Sequence, residues 1–294
     1  MKIAVLSDIH GNIEAFKKVV ECVTKEKVDR FFFLGDYLGE HAYPQETMKL
    51  LYSIMDNYEC DLIRGNKEDY WIKESSAEKT GEGCIQNNIW KEVDHTTGCL
   101  YYTYTRLTEK DLLLFSSLPI SREIHIPGMK DITICHGTPR NNREHMSRRM
   151  NQEFEEMMDV CVHTDLSLCG HSHIRNREVY GEKVVQDIGS VGVSAGANGM
   201  AQYAILESEG NNLNLFIKDT DYDRKKALQN LEDDGLFTYA PYWTDITRRL
   251  IFDGEVMHST VLFKAMELCE KGEGSVKWPM IPDKYWDMAI KEIF

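Results

Sequence analysis

Seven residues between positions 8 and 173 carry side chains that hold divalent metals: Asp8, His10, Asp36, Asn66, His136, His171 and His173. Carboxylate, amide and neutral imidazole donors together suit borderline ions such as Mn, Fe, Co, Ni or Zn. If Asp36 is shared, the set supplies four ligands to each of two ions. Two such ions, roughly 3.5–4 Å apart, stabilise the attacking and leaving oxygens of a displacement at phosphorus and acidify a bound water. The chemistry to expect is hydrolysis of a phosphate ester or anhydride.

These residues share a local context. Lys2 to Leu6 is a short apolar run ending just before Asp8 and His10, and Arg30 to Leu34 ends at Gly35-Asp36. Cys60 to Ile63 precedes Arg64-Gly65-Asn66, Asp131 to Cys135 precedes His136, and Asp165 to Cys169 runs into Gly170-His171-Ser172-His173. Every candidate ligand thus follows a predicted strand, the rim where ligands bind in open α/β sheets. Between the first strands, Ile13, Phe16, Val20 and Val23 recur at helical spacing, with Asn12 as a candidate cap. Pro44 opens a second helix whose buried face holds Met48, Leu51, Tyr52 and Met55. Strand, helix, strand, helix, strand implies parallel pairing with right-handed crossovers.

Residues 72–107 read as an insertion with an aromatic group at Tyr101, Tyr102 and Tyr104. Thr108 to Asp111 is a capping-box-like helix start, stopped near Pro119. Ser121 to Ile126 is a further strand, a helix is expected at 148–160, and strands at 176–180, 183–188, 201–207 and 212–217. Beyond about residue 220 three helical patterns remain: one through Tyr242, Ile246 and Leu250, one through Val261, Ala265 and Leu268 ending at Gly272, and one opening at Pro282. We therefore expect a domain at 1–220 and a helical extension, 221–294, packed on it.

The formal charge of -14 opposes a broad nucleic-acid or acidic-membrane surface. It leaves room for a small phosphorylated partner, since bound metals reverse the local potential. No apolar stretch reaches the roughly 18 residues of a membrane-spanning helix. The eight cysteines include no C-x-x-C pair and read as reduced. The opening apolar run is too short for a secretory signal, so the cytoplasm is the expected location.

In order and context, Asp8-Ile9-His10, Gly35-Asp36, Gly65-Asn66, His136-Gly137 and Gly170-His171-Ser172-His173 resemble the motifs of the calcineurin-like metallophosphoesterases. The resemblance covers roughly residues 1–220 and implies a four-layer α/β/β/α sandwich with a dinuclear site, Mn or Fe favoured. By position it assigns Asp8, His10, Asp36 and His173 to one ion, and Asp36, Asn66, His136 and His171 to the other. Many members follow Gly-Asn with a histidine that assists the leaving group. Here the residue is Lys67. Losing a general acid typically costs on the order of 10²–10⁴ in rate and matters most for poor leaving groups. Anhydrides and activated esters are therefore expected over alkyl monoesters, with Asp36, Asn66, Lys67 and His136 as the catalytic set.

Arg140, whose fork matches phosphate oxygens, is the candidate clamp beside Lys67. Asn66-x-Glu68-Asp69, Gly189 to Gly192, Ala201 to Tyr203 followed by Asp221 to Asp223, and the helical tail are similar to bacterial members that hydrolyse diadenosine tetraphosphate, implying a dinucleoside polyphosphate or related nucleotide. The alternatives are a general small-molecule phosphodiesterase or phosphatase, and a non-catalytic scaffold like the retromer-type members. His41, His95, His125, His145, His163 and His258 read as surface or satisfied core histidines, and Trp243, Tyr285 and Trp286 as packing.

Overall fold

The structure, a computed structural model, describes residues 1–209 and 212–294. β1 (Lys2–Leu6), β2 (Arg30–Phe33) and β3 (Glu59–Leu62) pair in parallel, and β9 (Ala201–Glu209) and β10 (Asn212–Thr220) extend the sheet on the β1 side, antiparallel. The second five-stranded sheet has the order β4 (Ser121–Ile124), β5 (Ile132–Cys135), β6 (Leu166–Cys169), β8 (Lys183–Asp187), β7 (Asn176–Tyr180), with β5, β6 and β8 parallel.

The alternation of side chains along a strand builds the layers. Ile3 and Val5 of β1, Phe32 of β2 and Leu34 beyond it meet Ile132 and Ile134 of β5 and Leu168 of β6 in a core between the two sheets. The intervening Ala4, Leu6, Phe31 and Phe33 point to the opposite face, against Phe16, Val19 and Val23 of α1 (Ile13–Lys25) and Met48 and Leu51 of α2 (Pro44–Asn57). Strands buried on both faces must be nearly all apolar, which is why these runs lack a polar partner set. Cys135, Cys169 and Val185 on the far face of the second sheet pack on Phe154, Met157 and Met158 of α6 (Phe154–Cys161). The result is the α/β/β/α sandwich that the motifs implied.

Asn12 caps α1, its Oδ1 accepting from the Ala15 N–H at 3.1 Å. α3 (Asn66–Glu78) starts at the candidate ligand Asn66 itself, and α4 (Gly98–Tyr104) lies within the stretch 72–107. α5 (Glu109–Ser117) opens with the capping box at Thr108. The helix expected at 148–160 begins only at Phe154. The Asn151 Oδ1 accepts from the Glu153 N–H at 3.0 Å, a local bond that competes with helical pairing.

Past Thr220 the described elements are helices: α7 (Arg224–Asp233), α8 (Leu236–Tyr239), α9 (Pro241–Phe252), α10 (His258–Glu273) and α11 (Asp283–Ile293). Five stand where three patterns were expected. The α7 start was legible in Asp223, whose side chain accepts from the Lys226 N–H. α10 continues through Gly272, where the close approach of Tyr285 leaves no room for a Cβ, and stops at left-handed Gly274. Ile246, Leu250, Val261, Ala265, Trp286 and Ala289 form this region's own core. Among the described residues no helix is long and apolar enough to cross a membrane.

Candidate metal centre

Backbone conformation does the first work at the strand ends. Asp8, His10, Asp36, His171 and His173 all have positive φ, between 50° and 70°. Asp and His tolerate the left-handed region better than most residues, yet each instance costs on the order of 1 kcal/mol. Strain concentrated at five of seven candidate ligands marks a functional site. Continued pairing beyond the strands holds it: the Asp8 N–H donates to the Gly35 carbonyl at 3.1 Å and the His10 N–H to the Asp36 carbonyl at 3.0 Å.

The donor atoms converge in two overlapping groups, Asp8 with His10 and His173, and Asp8 with Asp36 and His136. His10 Nε2 lies 3.5 Å from Asp8 Oδ1 and 3.6 Å from Asp36 Oδ2, and His173 Nε2 lies 3.3 Å from Asp8 Oδ1. On the other side, His136 Nε2 is 3.5 Å from Asp36 Oδ1 and 3.2 Å from Asn66 Oδ1. The two oxygens of Asp36 thus face different histidines. His171 sits at the edge, outside both groups; its ring centroid is 5.1 Å from that of His136 and its backbone N–H donates to Asp8 Oδ2.

Outer contacts set the tautomers. His136 Nδ1 lies 2.7 Å from the Leu34 carbonyl, and His10 Nδ1 faces the Glu40 carboxylate. A ring whose Nδ1–H is donated presents a lone pair at Nε2. His171 is reversed: Nε2 lies 3.2 Å from the Arg143 carbonyl, which leaves Nδ1 as its free nitrogen. Asp8 Oδ2 accepts from Ser7 and His171, while Oδ1, fully buried, has no hydrogen-bond partner. The Nε2 atoms of His10 and His173, 3.0 Å apart, converge with that orphaned oxygen on one place. A buried carboxylate oxygen with no hydrogen-bond partner, ringed by imidazole nitrogens, fits a divalent metal.

The carboxylates make this place favour positive charge. Burial works against a charge on His10, but Glu40, Asp8 and Asp36 outweigh it and push the group up to about 10. His136 is likewise raised, against its burial, by Asp36 and Asp8. His171, pressed by burial and by His136 and His145, is held well below the usual range and stays a neutral imidazole.

Two further carboxylates position the site. Glu68, fully buried, accepts the N–H groups of Gly65 (2.7 Å), Asp36 (3.0 Å) and Tyr37 (3.0 Å), tying the loop after β2 to the start of α3. Burial and the Asp36 charge push it up to about 7, against the pull of its backbone donors. Glu40 lies between His10 Nδ1 and the Lys67 ammonium. Burial opposes the charge of Lys67, but Glu40 and Asp36 dominate and raise it. Lys67 also donates its backbone N–H to Asp36 Oδ1 at 2.9 Å. Glu68 had a signal in the sequence, since a glutamate three residues past Gly65 is the capping position of a helix; Glu40 had none.

Beside the ligands lies a cavity of about 400 Å³. Lys67 lines it; Arg140 does not. The Arg140 guanidinium is held by Glu144 (2.9 Å) and Glu153 (2.6 Å) beside a separate hollow with Ser121 and His163, so the expected phosphate clamp is spoken for by two carboxylates. Arg143 takes its place in the cavity wall, and among the described residues no carboxylate pairs with it. Nothing in the sequence distinguished the two arginines. His145, stacked on His171 with centroids 4.7 Å apart, and the buried His258 also reach the cavity. Trp243 both packs in the helical core and lines the cavity.

A two-sheet sandwich with Asp, His and Asn donors gathered at its strand ends is the frame of a metal-dependent phosphoesterase. Residues 1–211 match the calcineurin-like phosphoesterase superfamily domain, and the chain belongs to that superfamily. An uncharacterised protein of Methanocaldococcus jannaschii is 26% identical over 246 residues, covering 78% of this chain and 91% of that protein. Among solved structures, a hypothetical protein of Pyrococcus horikoshii OT3 superposes with a TM-score of 0.70 at 18% identity, covering 87% of this chain and 99% of that one. A metallophosphoesterase of Sphaerobacter thermophilus does so with 0.64 at 21% identity, covering 86% and 99%. At these identities the two structures speak for the fold alone.

Proposed function

We propose that this phosphoesterase cleaves a phosphoanhydride or phosphodiester bond in a small nucleotide, such as a dinucleoside polyphosphate, with two divalent ions. The observation that carries the reading is Asp36, whose carboxylate oxygens face His10 on one side and His136 on the other. Asp8, His10, Asp36 and His173 would hold one ion, and Asp36, Asn66, His136 and His171 the second. Asp8, a member of both groups, adds negative charge to the pair. When bound, such ions supply Lewis-acid stabilisation of the phosphoryl oxygens and lower the pKa of a water.

The chain's own residues do the rest. Glu40 and the Leu34 carbonyl hold the His10 and His136 rings in place, and Lys67 and Arg143 offer charge-assisted hydrogen bonds to phosphate. Lys67 remains an ammonium under the influence of Glu40 and Asp36, so it stabilises an anionic leaving group and does not protonate one. That favours phosphate or another weakly basic leaving group over an alkoxide.

The test is metal analysis of the purified protein, followed by assays with added manganese or iron. The substrates would be dinucleoside polyphosphates, linear and cyclic dinucleotides and alkyl monoesters. Metal at about two ions per chain is expected, with activity lost in Asn66→Ala and His136→Ala. A preference for alkyl monoesters would overturn the leaving-group reading. Absence of both metal and hydrolysis would point to a scaffold.

A further inference from the structure

We infer that the helical region after residue 220 supplies much of an aromatic wall on which the nucleobase of the substrate stacks. This deepens the reading of a phosphohydrolase and rests on it. The lining of the cavity is of two kinds. One is the charged floor of metal ligands with Lys67 and Arg143. The other is apolar and largely aromatic: Trp243 of α9, Leu262 and Phe263 of α10, Trp278 between α10 and α11, Tyr70 of α3, and Met150.

The wall is preformed. Tyr70 packs against Trp278 with centroids 5.5 Å apart, and Trp243 is backed by His258 at 4.7 Å and by Trp286 edge-on at 6.1 Å. Each cation of the floor lies against one of these rings. The Arg143 guanidinium carbon is 4.9 Å from the Tyr70 centroid, and Lys67 Nζ is 5.7 Å from that of Trp243. A phosphate held by those cations therefore directs its substituent along aromatic faces.

Water covers this wall at a free-energy cost. Phe263 is 66% exposed and Trp278 37% exposed, although both line a cavity. Large apolar groups left wet beside a cluster of polar donors mark a surface meant to be covered by ligand. Ring faces reward a planar, polarisable partner, and base stacking on aromatic side chains tolerates any of the common bases. Ser259, on the same wall, offers a hydroxyl to the edge of such a ring.

Calorimetric binding to the manganese-loaded full chain tests this without turnover. The probes are adenosine monophosphate, ribose 5-phosphate and octyl phosphate, which share a phosphate and differ in what it carries. We expect the adenosine compound to bind about tenfold or more tighter than ribose 5-phosphate. Phe263→Ala and Trp278→Ala should shrink that gap to about twofold and leave ribose 5-phosphate unchanged. Phe263 is exposed enough that its loss leaves the core intact. Equal binding of adenosine monophosphate and ribose 5-phosphate overturns the inference while keeping the phosphate site. Tighter binding of octyl phosphate than of the nucleotide, or an undiminished gap in both variants, also overturns it. If none of the three binds, the phosphohydrolase reading falls, and this one with it.

Discussion

Glu68 should prove to be the residue that links stability to metal binding, and Glu68→Gln is the substitution that shows it. In the native chain Oε2 accepts from the Gly65 and Asp36 N–H groups and Oε1 from Tyr37. A glutamine amide has one oxygen. Placed where Oε2 was, it keeps the first two bonds and turns its NH2 against the Tyr37 N–H; flipped, it loses two. At least one buried donor is left unpaired, which costs roughly 1–3 kcal/mol, and the surviving bonds lose their charge assistance. Removing a carboxylate that Asp36 repels returns part of this, so a net loss of about 2 kcal/mol is expected. Chemical unfolding of the metal-free protein measures it. Because the same clamp fixes the backbone of Asp36 and of the turn before Asn66, metal affinity should also fall, by about 10–100-fold. Glu74→Gln is the control: that buried carboxylate accepts from the Cys84 and Ile85 N–H groups outside the ligand set, so its loss should lower stability and spare metal affinity. Native-like stability and metal binding in Glu68→Gln would refute the clamp.

Gly170→Ala would place a Cβ on Ser7 Oγ and Asp8 Oδ2; it should destabilise by about 1–3 kcal/mol or more and abolish metal binding, which calorimetric metal titration would show. Arg143→Ala should raise KM for a phosphorylated substrate by about tenfold, whereas Arg140→Ala, whose fork serves Glu144 and Glu153 outside the cavity, should leave kcat/KM within about twofold; the opposite ranking in steady-state kinetics would restore Arg140 as the clamp. Chelation should expose the unpartnered Asp8 Oδ1 and its facing imidazoles. With free metal at about a thousand times Kd, the metal contributes about 4 kcal/mol, so chelator should lower Tm by roughly 10 °C; an unchanged melting curve would contradict a metal bound to the folded state.

The helices after residue 220 were visible as amphipathic patterns, yet their importance to the site was not. Tyr242, Ile246 and Leu250 announce a buried stripe on α9, but the same periodicity is silent about Trp243, which serves the core and the cavity together. His258 shows the same limit. It lies buried within reach of Thr247 Oγ1, at 2.9 Å, and of the Trp243 carbonyl, as a satisfied core histidine should, and still forms part of the cavity lining.

What the chain order alone determined is the candidate ligand set and the parallel strands under it, while the sandwich was implied by the family resemblance. Short continuous apolar runs, each broken at once by Asp, His or Gly-Asn, require strands whose ends carry donors, and parallel strands bring those ends to one rim. Both facts are local: they depend on residues within a few positions of each other. The tertiary structure decided everything that hangs on a side chain's final direction. It set Arg143 in the cavity and gave Arg140 to two glutamates, made Glu68 and Glu40 supports, and brought Trp243, Phe263 and Trp278 over candidate metal ligands that lie 70 or more positions earlier in the chain. Such choices follow from long-range packing, where two arginines three residues apart have the same chemistry but different neighbours.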